Sequence, residues 1–246
     1  MRIVSLCPSL TESVFRLGKG DELVGRTKFC VQPADRVATV ERVGGTKNPK
    51  LDRILALRPD VVLMNEEENR REDAEALTVA GVKIVSTFAR DVAGAVAVLR
   101  QLGQVLDAGV AAEHLATQIE ARAAEVASDA ALRPPTSFVY LIWQNPHMAV
   151  APGTYIDALL TVAGGRNIIP CGDNRYPEID LHTLAADRIL LSSEPFPFTE
   201  RHRAELIAAG HHNVQLVDGE ALSWHGARTL EGLDYAHHLF RTSLPD

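Results

Sequence analysis

The stretch DVAGAVAVLRQLGQVLDAGVAAEHLATQIEARAAEVASDAA, residues 91–131, decides the fold. It carries no strand signal and almost no turn. Val92, Val96, Leu99 and Leu102 recur at helical spacing as far as Leu106, where Asp107-Ala108-Gly109 breaks the run. Residues 110–131 then read as a second helix rich in Ala and Glu, with Leu115, Ile119 and Val126 on one face. A helix of about 20 residues is about 30 Å long, the width of a small domain. Arg133-Pro134-Pro135 ends it, because proline has no amide hydrogen and restricts the residue before it.

On either side of this stretch the pattern alternates. Residues 2–6 read as a buried strand, followed by Ser9-Leu10-Thr11-Glu12, a capping box with Ser9 as N-cap, and by Gly18 as a stop. Asn48-Pro49 is expected to open a helix whose apolar face is Leu51, Ile54, Leu55 and Leu57. A strand at 61–64, a helix at 70–80 closed by Gly81 and a strand at 82–86 follow. After the prolines come a strand at 138–143, a helix at 155–163 stopped by Gly164-Gly165, a strand at 189–191, a helix at 199–209, a strand at 214–217 and a helix at 228–240. Strand–helix–strand alternation implies parallel sheets covered by helices. The expected architecture is α/β: a lobe at 1–106, a backbone helix at 107–133, and a second lobe at 134–246, with a ligand cleft between the lobes.

Composition narrows the functional classes. The 246 residues are 46% hydrophobic and 23% charged, an ordinary globular balance, and the formal net charge of −7 with no basic run argues against a nucleic-acid partner. No segment reaches the 18–20 apolar residues needed to span a bilayer, so a membrane-spanning chain is not expected. The apolar start at residues 3–6 ends at Cys7-Pro8, too short for a secretory signal. Met1 is thus either the natural start of a cytoplasmic protein or a replacement for a removed export signal. Cys7, Cys30 and Cys171 form neither a disulfide framework nor a zinc motif and read as buried free thiols. Gly44-Gly45-Thr46-Lys47 lacks the spacing of a phosphate loop, and no nucleophile elbow, zinc-protease or dinucleotide motif is present, so no catalytic residue is assigned.

In α/β sheets ligands collect beyond the carboxyl ends of strands. That rule selects Cys7-Pro8-Ser9, Asn65-Glu66-Glu67, Gln144 to Met148, Ser192-Ser193-Glu194 and Asp218 to His225. Trp143, Tyr176 and Trp224 are expected to wall an apolar pocket, and Lys47, His147, His225 and Arg228 to supply polar contacts. His147 and His225 are also able to ligate a metal, although ordinary hydrogen-bonded histidine is the plainer reading. His211-His212 and His237-His238 read as surface pairs.

Residues 3–12 (IVSLCPSLTE), 43–49 (VGGTKNP), 57–63 (LRPDVVL), 164–168 (GGRNI), 192–198 (SSEPFPF) and 222–226 (LSWHG) resemble, in order, the helical-backbone periplasmic substrate-binding proteins of ABC importers, closest to the cobalamin, ferric-siderophore and haem binders. The resemblance implies a non-catalytic, monomeric clamp that needs no cofactor. It would pass a metal chelate such as cobalamin, haem or a ferric siderophore to a permease dimer outside the cytoplasm. By the same resemblance Pro8 matches a cleft proline and Trp224 a tryptophan near the ligand. Asn65 replaces an aromatic wall residue, and Glu72 and Glu200 match permease-docking carboxylates. The alternatives are a cytoplasmic sensor or storage relative without a permease, or a metal-dependent enzyme built on His147, His225 or the cysteines.

Overall fold

The computed structural model describes residues 1–242. Contacts divide the chain into two compact units. The first comprises Met1–Ala89, Ala93–Gln118 and His225–Arg228; the second comprises Arg90–Val92, Ile119–Trp224 and the chain from Thr229 onward.

The first unit begins with β1 (Ile3–Ser5), α1 (Pro8–Arg16), β2 (Leu23–Arg26), the short α2 (Ala34–Val37), β3 (Glu41–Arg42), α3 (Leu51–Ala56), β4 (Val61–Asn65), α4 (Arg71–Val79) and β5 (Lys83–Thr87). Its sheet has the order β3-β2-β1-β4-β5 with every pair parallel. Val4, Leu6, Val62 and Met64 cover one face of the sheet with Val43, Ile54 and Leu77. The central strands are apolar on both faces, as the helices on either side of a parallel sheet require. α5 (Val92–Val105) and α6 (Gly109–Ala130) follow. Asp107, at φ 53°, turns the chain between them, and a Cβ on Gly103 would collide with that of Ala112, so the two helices approach closely there. The division between the units falls inside α6, between Gln118 and Ile119. The sequence segmentation had set this helix apart as a connector, whereas its first half belongs to one unit and its second half to the other.

The second unit contains β6 (Thr136–Trp143), β7 (Met148–Ala149), α7 (Tyr155–Val162), β8 (Gly165–Asn167), β9 (Arg188–Ser192), α8 (Glu200–Ala208), β10 (Val214–Val217), α9 (Gly219–Ser223) and α10 (Thr229–Arg241). Its sheet runs β10-β9-β6-β7, with β8 parallel to the start of β6 and β7 antiparallel to its end. Val139, Leu141, Ile189, Leu191, Phe198, Leu206 and Val214 form one core against this sheet.

Several expectations need correction. Ser9 does not cap α1: Pro8 is its first residue and Cys7 its N-cap, so the helix starts two residues earlier and Glu12 lies inside it. Asn48 does not cap α3, which begins at Leu51 after Lys50. The Lys50 amide instead donates to the Val43 carbonyl at 2.7 Å, and Gly44 pairs with Pro49, closing a tight loop that holds Asn48 away from the helix. Leu55 is exposed rather than on the apolar face. Cys171 is exposed, unlike Cys7 and Cys30. His237 is no surface residue: it is buried, with Nε2 at 2.7 Å from Asp129. The sequence reading did not anticipate β2, β3, β7 or β8.

Candidate functional site

The strand-end loops of the first unit are organised by two asparagines, Asn65 and Asn69. Asn65 ends β4 and is 2% exposed. Its Oδ1 accepts from the amides of Glu67 (2.9 Å) and Glu68 (3.3 Å), which fixes the orientation of the amide group. Its Nδ2 donates to the Thr87 carbonyl at the end of β5 (3.2 Å) and bonds Nε2 of His225 (3.0 Å). Asn69 Oδ1 accepts from the Asn65 amide (2.8 Å), while its Nδ2 donates to the carbonyls of Leu6 and Thr46, each at 3.0 Å. The loops following β1, β3 and β4 are thereby tied to one another and to the end of β5. Lys47 is exposed and donates to the Glu67 carbonyl, which adds a further tie.

His225 is 6% exposed, and burial pushes its imidazole down to about 4, so it is neutral at physiological pH. Arg228 makes a two-pronged ion pair with Glu12, Nε to Oε2 at 2.6 Å and Nη2 to Oε1 at 3.0 Å, which commits its guanidinium within the unit. Pro8 is partly buried at the start of α1. Cys7 Sγ lies 3.2 Å from Ser9 Oγ, and Cys30 Sγ 3.2 Å from Thr27 Oγ1. Burial pushes both thiols up, so both stay protonated. Phe29, which the sequence reading passed over, follows β2, is 49% exposed, and has Lys28 Nζ 4.8 Å from its ring centroid.

The strand ends of the second unit are aromatic. Trp143 ends β6 and is 42% exposed, edge-on to Phe196 with centroids 5.6 Å apart. Phe196 in turn packs on Phe198 (4.8 Å) and on His202 (5.3 Å). His202 is held by the Thr199 amide at Nδ1 (2.9 Å) and lies 2.9 Å from Arg201 Nη2 at Nε2. Trp224 is buried, 5% exposed, and its Nε1 donates to Glu194 Oε1 at 2.7 Å; Ser223 Oγ donates to the same oxygen at 2.7 Å. Trp224 is therefore packed inside the protein and is no open wall. Burial holds the Glu194 carboxyl above the ordinary carboxylate range. His147 is partly buried, with Nε2 enclosed and without a hydrogen-bond partner among the described residues. Burial and the nearby His211 and His182 push its imidazole down. Tyr176 is partly buried in the long segment before β9. Glu72 is exposed in the first turn of α4. Glu200, also exposed, opens α8 and lies 3.1 Å from Arg203.

Of the residues chosen from sequence, the structure joins Asn65 to His225 and links Lys47 to the same loop, while Trp143 stands on Phe196. Phe29, Asn69 and Phe196 were missed. Asn65 and Asn69 are four apart, and Phe196 and Phe198 flank a proline just after a strand, signals that would have marked them. A cavity of about 500 Å³ lies at the other end of the first sheet, by the strand starts, lined by Arg2, Phe15, Asp21, Leu23, Arg36 and Glu41. Among the described residues, no group of three or more His, Cys, Asp or Glu side chains has the arrangement to hold a metal ion. Among the described residues no helix is long and apolar enough to cross a membrane.

The sequence model of the periplasmic binding protein family matches residues 3–190. The vitamin B12-binding protein of Vibrio campbellii is 23% identical over 252 aligned residues, covering 98% of this chain and 90% of that protein. In fold the chain is similar to the periplasmic vitamin B12 binding protein BtuF of Vibrio cholerae, with a TM-score of 0.83, 21% identity, and coverage of 98% and 96%. It is equally similar to a periplasmic haem binding protein from Pseudomonas aeruginosa, with a TM-score of 0.84, 24% identity, and coverage of 99% and 94%.

Proposed function

The chain belongs to the periplasmic binding protein family, and on that premise we propose that it captures a metal chelate of the corrinoid, haem or ferric-siderophore type for an ABC importer. The observation that carries the reading is the exposed indole of Trp143, held edge-on by Phe196 at the end of a parallel-sheet strand. An exposed, rigidly supported aromatic at that place is costly to leave in water and suits the flat organic face of a chelate. Phe29 offers a second such ring at a strand end of the first unit. The loops around it are tied by Asn65 and Asn69, and a ligand meeting preorganised loops loses less entropy on binding.

In this reading the candidate cargo contacts, taken unit by unit, are Phe29, Pro8 and Lys47 in the first and Trp143 and Tyr176 in the second. Asn65 and His225 shape the first unit's loops, Arg228 braces Glu12 in the same unit, and Trp224 braces Glu194 in the second. Glu72 and Glu200 face the permease, a role that suits exposed carboxylates at helix starts. Quenching of tryptophan fluorescence by cyanocobalamin, hemin and ferrioxamine B tests the proposal. At least one should bind with a Kd below about 1 μM, and Trp143→Ala should weaken it by about 1–3 kcal/mol. Failure of all three to bind would remove the reading.

A further inference from the structure

The same site carries a finer conclusion about its cargo, which rests on the reading above. Metal chelates fall into two chemical classes. In one the metal has an open axial position that a protein imidazole, thiolate or phenolate fills. In the other the chelate occupies every position itself. Among the strand-end histidines and cysteines, each group able to fill an axial position has a ligating atom that is hydrogen-bonded or enclosed.

The commitment of His225 follows from hydrogen-bond accounting. Asn65 Oδ1 accepts two backbone amides, so the group facing His225 is the NH2, and its two hydrogens go to the Thr87 carbonyl and to His225 Nε2. A donor that has no lone pair to offer fixes its partner as the acceptor. His225 must therefore be the neutral tautomer with its proton on Nδ1, and the lone pair of Nε2 is used. His147 turns Nε2 into the interior of its unit. Cys7 and Cys30 lie buried against Ser9 and Thr27. His202 is bonded at both ring nitrogens.

We infer that the cargo's metal arrives with its coordination sphere complete, and that the protein grips the organic shell of the chelate without supplying an axial ligand from its strand-end histidines and cysteines. Corrinoids with both axial ligands filled and hexadentate ferric siderophores belong to this class. Haem with an open axial position does not.

Two measurements test this on the full chain. Long-range 1H–15N NMR of the imidazoles, without ligand, should show His225 with an unprotonated Nε2 and a protonated Nδ1 at pH 7; a protonated Nε2 would overturn the inference. Absorption spectra are then recorded with cyanocobalamin, ferrioxamine B, aquocobalamin and hemin. Bands of bound cyanocobalamin or ferrioxamine B should stay within about 2 nm of their free positions, and aquocobalamin should keep its water. A hemin or aquocobalamin complex with the bands of a protein-ligated metal, abolished in His225→Gln, His147→Gln or Tyr176→Phe, would overturn it. If no chelate binds, the receptor reading fails, while the NMR result still decides whether His225 is committed.

Discussion

The strand ends of the two units solve different problems with different chemistry. In the first unit a buried polar network, centred on Asn65 and Asn69, holds three loops and a strand end by their backbones. In the second, an aromatic cluster of Trp143, Phe196, Phe198 and His202 leaves its outermost ring exposed. A polar network that is fully satisfied rigidifies, and each lost member strands others, so its residues matter first for stability. An exposed ring on an apolar base contributes little to folding and much to whatever covers it. Stability and binding are thus expected to separate along the chain.

The largest effect should come from the network. Asn65→Ala would remove its bonds to the Glu67 and Glu68 amides, the Thr87 carbonyl and His225 together, although the Thr87 carbonyl keeps the Glu66 amide at 3.1 Å. Each buried unsatisfied group costs about 1–3 kcal/mol, so urea unfolding should show a loss of about 3–5 kcal/mol with partial relief from water. A loss below about 1 kcal/mol would mean that the loops hold themselves.

Acid should separate the regions next. The folded pKa of His225, about 4, lies below the unfolded value near 6.5. The folded state therefore binds fewer protons in this window. Stability is full above about pH 6.5 and falls as pH drops towards about 4, by up to about 3 kcal/mol. The lowered values of His147 and His211 act in the same direction. Glu194, held above its usual range, acts oppositely, gaining stability as pH falls through its folded value. Unfolding free energies between pH 7 and 4.5 should show the decline, and His225→Gln should flatten it. An unchanged slope in that variant would assign the acid sensitivity elsewhere.

How much of this was legible follows from where the information lies. β4, β6, β9 and β10 announced themselves because each is an apolar run buried by its own residues. β2 carries Gly25 and Arg26, β3 is the exposed pair Glu41-Arg42, and β8 is Gly-Arg-Asn. These owe their strand character to a neighbour's hydrogen bonds, which no local pattern records. The capping box failed because Ser9 and Glu12 satisfied the motif while Pro8 had already begun the helix. Trp143 and Asn65 could be chosen because strand ends are sequence-local. The partnership of Asn65 with His225 spans 160 residues and was invisible, as was the burial of Trp224 against Glu194.

Smaller effects sharpen the contrast. Trp143→Ala should cost only about 1 kcal/mol of stability, the order of one edge-on aromatic contact, measured in the same urea experiment. A loss above about 3 kcal/mol would make Trp143 a core residue. Smallest of all, the Glu72→Ala, Glu200→Ala double variant should alter stability by less than about 0.5 kcal/mol, since both carboxylates are exposed. Chelate affinity should be unchanged while uptake through a reconstituted permease is lost, and undiminished uptake would remove these carboxylates from the docking account.

The most direct test of the central claim is the visible absorption and metal content of the protein isolated from cells supplied with cobalamin and ferric siderophores. A receptor for such chelates should carry cobalt or iron approaching one equivalent, with the chromophore of the intact chelate, and should lose both together on mild unfolding. Protein that remains colourless and free of both metals, and that takes up neither chelate when mixed with it at micromolar concentration, would contradict the account.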